Sequence, residues 1–297
     1  MSVTAEPDLN KHEAGEGRRI VVVRRPNAAF DRTPYIIHLL MEQWRQWGFT
    51  VDVLGHVDTA TGSRTVVIPH LDATRMPADY EASFARCAVV VNRTVTDISK
   101  RRISENLVTR PTDYDGPVIV KTDRNCGGLP EFQRIKDNGQ VAQAALALAR
   151  RLPWALTGMI GQYKVFDHPS RVPRAVWRNP LLVVEKFLPE RQDGMYCLRQ
   201  YIFFGTSEIN TLVFSTDPIV KARNVTRRQV LSEPSPGVRD IRTALGFDYG
   251  KFDYVLQEGR VVLFDANHTP TYNPASPAGS ARPLIIGLAG GIRGFFG

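Results

Sequence analysis

The chain has 297 residues, 43% hydrophobic and 23% charged, enough to bury a substantial core and to hold one large or two to three small domains. Its formal net charge of +8 comes mostly from arginines scattered along the chain, with no Lys/Arg block interleaved with aromatics, which argues against a nucleic-acid partner and for a basic surface that favours small anions. Three cysteines, Cys87, Cys126 and Cys197, are an odd number without CxxC spacing; they argue against a disulfide framework or zinc site and for a reducing, cytoplasmic compartment.

Residues 1–17 are polar, lack the apolar stretch of a signal peptide, and read as a disordered leader. Residues 18–25 (RRIVVVRR) have a buried-strand pattern, and 33–47 continue as an amphipathic helix that Pro34 can start in its first turn. Short apolar strands follow at 51–54, 66–69 and 87–92, with a helical stretch near 78–85. Strands alternating with helices predict a small parallel α/β unit over 18–110, in which ligands sit beyond the carboxyl ends of the strands. That rule selects Arg24, Arg25 and Asn27, His70 and Asp72, and Asn92 and Arg93, each weighed against an ordinary turn or capping role. No GxGxxG is present, so a dinucleotide fold is not supported.

Residues 97–109 (DISKRRISENLVT) read as a helix capped by Asp97 or a nearby Thr, with Lys100 one turn in. A strand over 118–121 ends in Lys121 and leads into a loop with paired Gly127 and Gly128. Such a lysine can fix phosphate charge and such glycines let backbone N–H groups approach an anion, although a plain hairpin turn would look the same. Residues 138–152 read as an Ala-rich structural helix, and 163–179 as an exposed connection with His168 facing solvent. An apolar strand from 181 runs into Glu185, Lys186, Phe187, Leu188, Pro189 and Glu190, with Asp193 close behind. Residues 196–204 and 208–215 form a hairpin from which Arg199 projects, followed by a basic segment with Lys221 and Arg223. The longest C-terminal apolar run, around 283–288, is too short to cross a bilayer.

Two alternating strands, 251–256 and 260–267, close the pattern. A three-residue turn at Gln257, Glu258 and Gly259 would set Lys251 opposite Asp265 and Asp253 opposite Leu263. Lys251, Asp253, Asp265 and Asn267 then share one face, and Phe252, Tyr254, Leu256, Val262, Phe264 and Ala266 the other. Two carboxylates and an amide oxygen beside a lysine suit a hard cation such as Mg²⁺, the alternative being an ordinary solvated hairpin face. A two-residue Glu-Gly turn would instead split Asp253 from Asp265.

The run 244–270 (ALGFDYGKFDYVLQEGRVVLFDANHTP) resembles the C-terminal signature of ATP-grasp enzymes of the carboxylate-amine ligase type, similar to the ATP-binding domain of glutathione synthetases. The resemblance is strongest over 117–270. It implies an α/β (α+β) fold in which two subdomains, 111–187 and 188–297, clamp ATP behind a pre-ATP-grasp domain at 18–110. It implies Asp253, Asp265 and Asn267 as metal ligands for Mg²⁺, two ions, with Mn²⁺ a substitute. Lys100 and Lys121 would meet phosphates under the Gly127–Gly128 loop, although the Asp97 and Lys100 spacing departs from the usual adjacent pair. Glu185, Lys186 and the backbone of Phe187 and Leu188 would hold adenine, and either Glu190 or Asp193 the ribose. Arg199, Arg223 and Lys251 would serve the reacting carboxylate and oxyanion; Lys251 stands where many relatives carry Arg. Four of only eight lysines, Lys100, Lys121, Lys186 and Lys251, fall where the family uses a cation.

The resemblance implies an ATP- and Mg²⁺-dependent ligase that activates a carboxylate as an acyl phosphate and joins it to an amine. Its substrates would be small-molecule or peptide acids and amines, with no membrane partner, and a homodimer is left open. The alternatives are a kinase of the same fold acting on a small-molecule hydroxyl, and an ATP-binding protein without turnover.

Overall fold

The computed structural model describes residues 15, 17–25, 29–125, 140, 144, 147–148, 151–158, 163–273 and 281–296. Asn27, Cys126, Gly127 and Gly128 lie outside the described residues, as do almost all of the expected leader and most of the expected helix 138–152. Gln140, Ala144, Ala147 and Leu148, which are described, are helical.

The N-terminal strands are β1 (Arg19–Arg24), β2 (Thr50–Leu54), β3 (Thr61–His70) and β4 (Cys87–Val90), in the parallel order β2-β1-β3-β4. The Ile-Val-Val-Val run of β1 is buried on both faces, as a parallel sheet covered twice requires. Ile20 and Val22 meet helix α2 (Ile36–Gln46), which follows the short α1 (Ala29–Arg32); Val21 and Val23 meet helix α3 (Ala78–Phe84). Within α2, Ile36, Ile37, Leu40, Met41 and Trp44 recur at helical spacing and are buried, each such large side chain contributing about 1.5–3 kcal/mol.

Residues 97–109 do not form one helix: α4 is only Lys100–Ile103. The chain then runs extended beside a later strand, where Lys186 N–H donates to the Asn106 carbonyl and Val108 N–H to the Val184 carbonyl. Those ladder bonds outweigh the helical pattern.

A three-stranded antiparallel sheet follows, ordered β6-β5-β7, from β5 (Val118–Thr122), β6 (Lys164–Phe166) and β7 (Leu182–Lys186). Helices α5 (Trp154–Thr157) and α6 (Arg174–Arg178) pack on its back with Val118, Val120, Leu182 and Val184. Residues 163–179 are therefore not the exposed connection their prolines and charges suggest; β6, Val172 and Val176 are built into this layer.

The large antiparallel sheet is ordered β11-β10-β9-β12-β13, with the short β8 (Glu190–Gln192) on β9. Its strands are β9 (Met195–Phe204), β10 (Ser207–Ser215), β11 (Arg227–Leu231), β12 (Tyr249–Gln257) and β13 (Arg260–Asn267). One face packs Tyr201, Phe203, Phe252, Tyr254, Leu263 and Ala266 against helix α7 (Val238–Ala244) and the stretch around Ile98 and Ile103. The end of β9, with Phe204, joins the N-terminal core through α8 (Ala281–Gly287) and a 3-10 turn at Leu288–Phe295. There Trp44 Nε1 donates to the Ala289 carbonyl at 2.9 Å, tying α2 to the last segment.

Candidate active site

The two antiparallel sheets enclose a cleft. Ile119 and Lys121 of β5 and Lys186 and Phe187 at the end of β7 line one wall; Leu198, Gln200, Val213, Arg228, Lys251, Asp253, Val255, Phe264 and Asp265 line the other. Strand alternation explains the first wall, since Val118 and Val120 face the core behind β5 while Ile119 and Lys121 face forward.

The floor is the β12–β13 hairpin. Its turn has two residues, Glu258 (φ 52°) and Gly259 (φ 79°), both left-handed, the geometry whose twist matches antiparallel strands. Gln257 therefore pairs with Arg260, not Leu256 with Arg260, and an uninterrupted ladder would have separated the two carboxylates. A β-bulge restores them: one extra residue on β13 opposite the Asp253–Tyr254 step sets Asp253 against Asp265 and Lys251 against Asn267. The bulge also brings Phe264 into the cleft, and Val262 pairs with cleft-lining Val255, so neither belongs to the covered face expected for them.

Each carboxylate is held by one oxygen. Asp253 Oδ1 takes Lys251 Nζ at 3.1 Å and Gln200 Nε2 at 3.1 Å, whereas Asp265 Oδ1 takes Lys100 Nζ at 2.8 Å. The Oδ2 atoms of both have no hydrogen bond or ion pair among the described residues. Lys100 is buried (2% exposed); burial opposes its charge, but Asp265, with Tyr163 and Glu185, outweighs it and raises its pKa above the ordinary value. Asn267 faces inward differently. Its Oδ1 accepts from Thr269 N–H at 2.8 Å, Thr269 Oγ1 at 3.2 Å and Asn125 Nδ2 at 3.3 Å, an Asx turn that engages the oxygen expected for a metal. Among the described residues no three His, Cys, Asp or Glu side chains gather as a cage. Two cleft-lining carboxylates, each with one oxygen that has no partner among the described residues, nevertheless fit a hard cation that keeps water and phosphate as its other ligands.

Opposite this floor, Lys121 Nζ lies 2.5 Å from Glu185 Oε2, both buried, with the lysine also 4.9 Å from the Phe264 ring centroid. Lys186 Nζ lies 5.2 Å from the Tyr114 ring centroid. The hinge backbone is partly engaged: Phe187 N–H donates to the Pro117 carbonyl and Leu188 carbonyl accepts from Gln257 Nε2, which leaves the Leu188 N–H without a partner among the described residues.

Several expected residues are not brought to the cleft. Arg199 sits opposite Tyr254, on the core-facing side of β9, and makes a bidentate pair with Glu190 (2.7 and 3.1 Å). Glu190 also accepts from Leu256 N–H at 2.8 Å, so it is fully engaged as a structural anchor. Asp193 (φ 53°) occupies the exposed β8–β9 turn and pairs with Arg227. Arg223 is exposed beside a 3-10 turn; its neighbour Lys221 enters the cleft instead, its Nζ 3.7 Å from the Tyr163 ring centroid. Burial pushes Lys221 down to about 8, with Lys121 and Lys100 adding to the shift and Asp265 and Asp253 opposing it. Sequence reading named Lys221 only as part of a basic segment and passed over Gln200 and Arg228, because only the strand faces and the return of the 216–226 loop place them here. Cys197 also borders the cleft, but burial, with Glu190 beside it, pushes its thiol up to about 12, which removes it as a nucleophile.

No family model matches the sequence, and no curated protein matches it. The structure is similar to ATP-grasp ligase PsnB complexed with minimal precursor, at a TM-score of 0.51 and 13% identity over 93% of this chain and 99% of that one. It is similar to the same ligase complexed with minimal precursor, Mg and ADP, at a TM-score of 0.51 and 12% identity over 94% and 97%. A RimK domain protein from Sphaerobacter thermophilus aligns at a TM-score of 0.48 and 12% identity over 92% and 99%. The chain has the ATP-grasp fold.

Proposed function

We propose that this chain is an ATP- and Mg²⁺-dependent ligase that activates a carboxylate as an acyl phosphate and joins it to an amine, releasing ADP and phosphate. The observation that carries the reading is the pairing of Asp253 with Asp265, each with one oxygen fixed by a lysine and the other open, across a cleft from Lys121 and Lys221. The ATP-grasp fold, and the Mg and ADP of the PsnB complex, support it. In this reading residues 18–110 form the pre-ATP-grasp unit, and 111–187 and 188–297 the two halves of the clamp.

Adenine lies between Ile119, Phe187, Val255 and Phe264, with the free Leu188 N–H reading its edge. For the ribose, Glu190 would have to give up Arg199 and the Leu256 N–H, and Asp193 its pair with Arg227. Lys121 and Lys221 hold phosphate oxygens as compact charges, and Glu185 gives up Lys121 as the nucleotide arrives. Asp253 and Asp265 would hold the divalent cation, and Asn267 would have to release Thr269 to join them. When bound, the cation screens the charge of the phosphate oxygens.

The acid, a small molecule or a peptide, enters from the carboxyl ends of β1 and β3. One of its carboxylate oxygens attacks the γ-phosphorus, the bond to the β,γ-bridging oxygen breaks, and ADP leaves. The amine nitrogen then attacks the acyl carbon and loses a proton to solvent, and inorganic phosphate departs with the bonding electrons. Lys251 sits beside Asp253 where the oxyanion forms, so positioning and charge do the catalysis without a protein nucleophile.

The test is release of ADP and free phosphate from ATP with pooled acids and amines, in the native chain, Asp253→Asn and Asp265→Ala. Equal ADP and phosphate only when acid and amine are both present, lost in both variants, is the expected result. ADP without free phosphate would replace the reading with a kinase, and no turnover with any pool would reduce it to nucleotide binding.

A further inference from the structure

Asp253 is restrained by a chain of two side chains from other strands. Gln200 of β9 lies directly opposite Asp253, and its Nε2 donates to Asp253 Oδ1 at 3.1 Å. Its Oε1 accepts from Arg228 Nη1 at 3.2 Å. Arg228 reaches from the edge strand β11 across β10, where Val213 is its opposite number and offers no polar group to intercept it.

The orientation of the Gln200 amide is forced by chemistry. A guanidinium only donates and a carboxylate only accepts, so the amide oxygen must face Arg228 and the nitrogen must face Asp253. Without Arg228 the amide oxygen would lose its partner among the described residues, and the side chain would no longer be held over Asp253. Lys251 and Gln200 converge on the same Oδ1, which leaves Oδ2 as the oxygen without a partner among the described residues, on a side chain that lines the cleft. Arg228 itself makes no carboxylate ion pair among the described residues. It is exposed, yet enough protein surrounds its head that burial lowers its pKa, with Asp253 opposing the shift.

We propose that Gln200 and Arg228 are positioning residues, Arg228 locking the Gln200 amide and Gln200 fixing Asp253 with Oδ2 toward a divalent cation that enters with nucleotide. This rests on the reading of Asp253 as a metal ligand. Partners of this kind typically change metal affinity ten- to a hundred-fold when removed.

The experiment measures Mn²⁺ binding by electron paramagnetic resonance in the presence of ADP, and ADP binding by calorimetry with the metal chelated. It uses the full chain as native protein, Asp253→Asn, Gln200→Leu, Arg228→Leu, Arg228→Lys and the Gln200→Leu/Arg228→Leu pair. Gln200→Leu is expected to weaken Mn²⁺ binding about ten-fold or more and Arg228→Leu several-fold, each with a clearly smaller loss of metal-free ADP affinity, since both side chains line the cleft. Arg228→Lys, which keeps a donor, should stay within about two-fold of native. The double variant should match Gln200→Leu alone, because Arg228 acts only through the amide. Additive losses would show that Arg228 acts independently of Gln200 and overturn the proposal, as would an equal loss of metal-free ADP binding. Native-like Mn²⁺ affinity in Gln200→Leu, with Asp253→Asn impaired, would overturn this inference alone. Native-like affinity in Asp253→Asn would overturn the underlying metal reading and this inference with it.

Discussion

Lys221 is the residue whose environment makes the sharpest statement about chemistry. Burial against Tyr163, with Lys121 and Lys100 adding to it, pushes its pKa down to about 8, well below an ordinary lysine. A bound triphosphate would favour the charged form, so ATP binding at pH 8.5–9.5 should take up a proton and affinity should fall as pH rises through about 8. Calorimetry in buffers of different ionisation enthalpy will show that uptake in the native chain and its absence in Lys221→Gln. Asp265 carries a second prediction. Among the described residues it is the one carboxylate in ion-pair contact with Lys100, which is 2% exposed, so Asp265→Ala strands a buried charge at a cost of about 3 kcal/mol. Urea unfolding should show that loss, and adding Lys100→Met should recover most of it. A site residue can thus be read from sequence as a type, but its partner cannot: Arg199 and Glu190 look like site residues and in fact neutralise each other behind the sheet.

At the scale of elements, the β12–β13 hairpin decides whether the site exists. Alternation alone places Asp253 and Asp265 together only for a three-residue turn, and the turn has two. The bulge at Phe264 compensates, and nothing in the local pattern of apolar and polar residues announces it. Glu258 sits at φ 52°, a region that Asn and Gly enter at lower cost. Glu258→Asn should therefore stabilise the chain by about 0.5 kcal/mol, visible as a small rise in melting temperature, with Mn²⁺ binding unchanged. A fall in stability would mean that the turn is not of this type. The short α4 teaches the same lesson in reverse: residues 104–108 have a helical pattern, but the carbonyl of Asn106 and the N–H of Val108 complete the edge of β7.

At the scale of the molecule, the N-terminal sheet and the large sheet share one core through α2, α8 and the Leu288–Phe295 turn, so the site is coupled to global stability. His70, at the carboxyl end of β3, is buried, and neither ring nitrogen has a hydrogen-bond partner among the described residues. Burial depresses its pKa well below 6.5, helped by His268 beyond β13 and His38 on α2; Arg24, Arg25 and Asp72 border the same crevice. The unfolded chain therefore binds a proton that the folded chain refuses. The associated stability is complete above pH 6.5 and falls as pH drops below it, by up to about 1.4 kcal/mol per pH unit from this group. Denaturant midpoints between pH 7.5 and 5 should decline accordingly, and His70→Leu should flatten part of that slope.

The sequence by itself determined the parallel N-terminal unit, the strand ending at Lys121, the Glu185–Lys186 strand and the acidic hairpin, because each depends on local periodicity and on residue types a few positions apart. Those same short-range signals carried the resemblance to the ATP-grasp fold, although no family model matches the sequence. Only the tertiary structure decided which side chains meet. Lys100 reaches Asp265 across 165 positions, Gln200 reaches Asp253 across 53, and Lys221 enters the cleft in place of Arg223. Such pairings depend on sheet order, on one bulge and on the face each strand presents; these are set by the packing of the whole core, and no stretch of sequence encodes them alone.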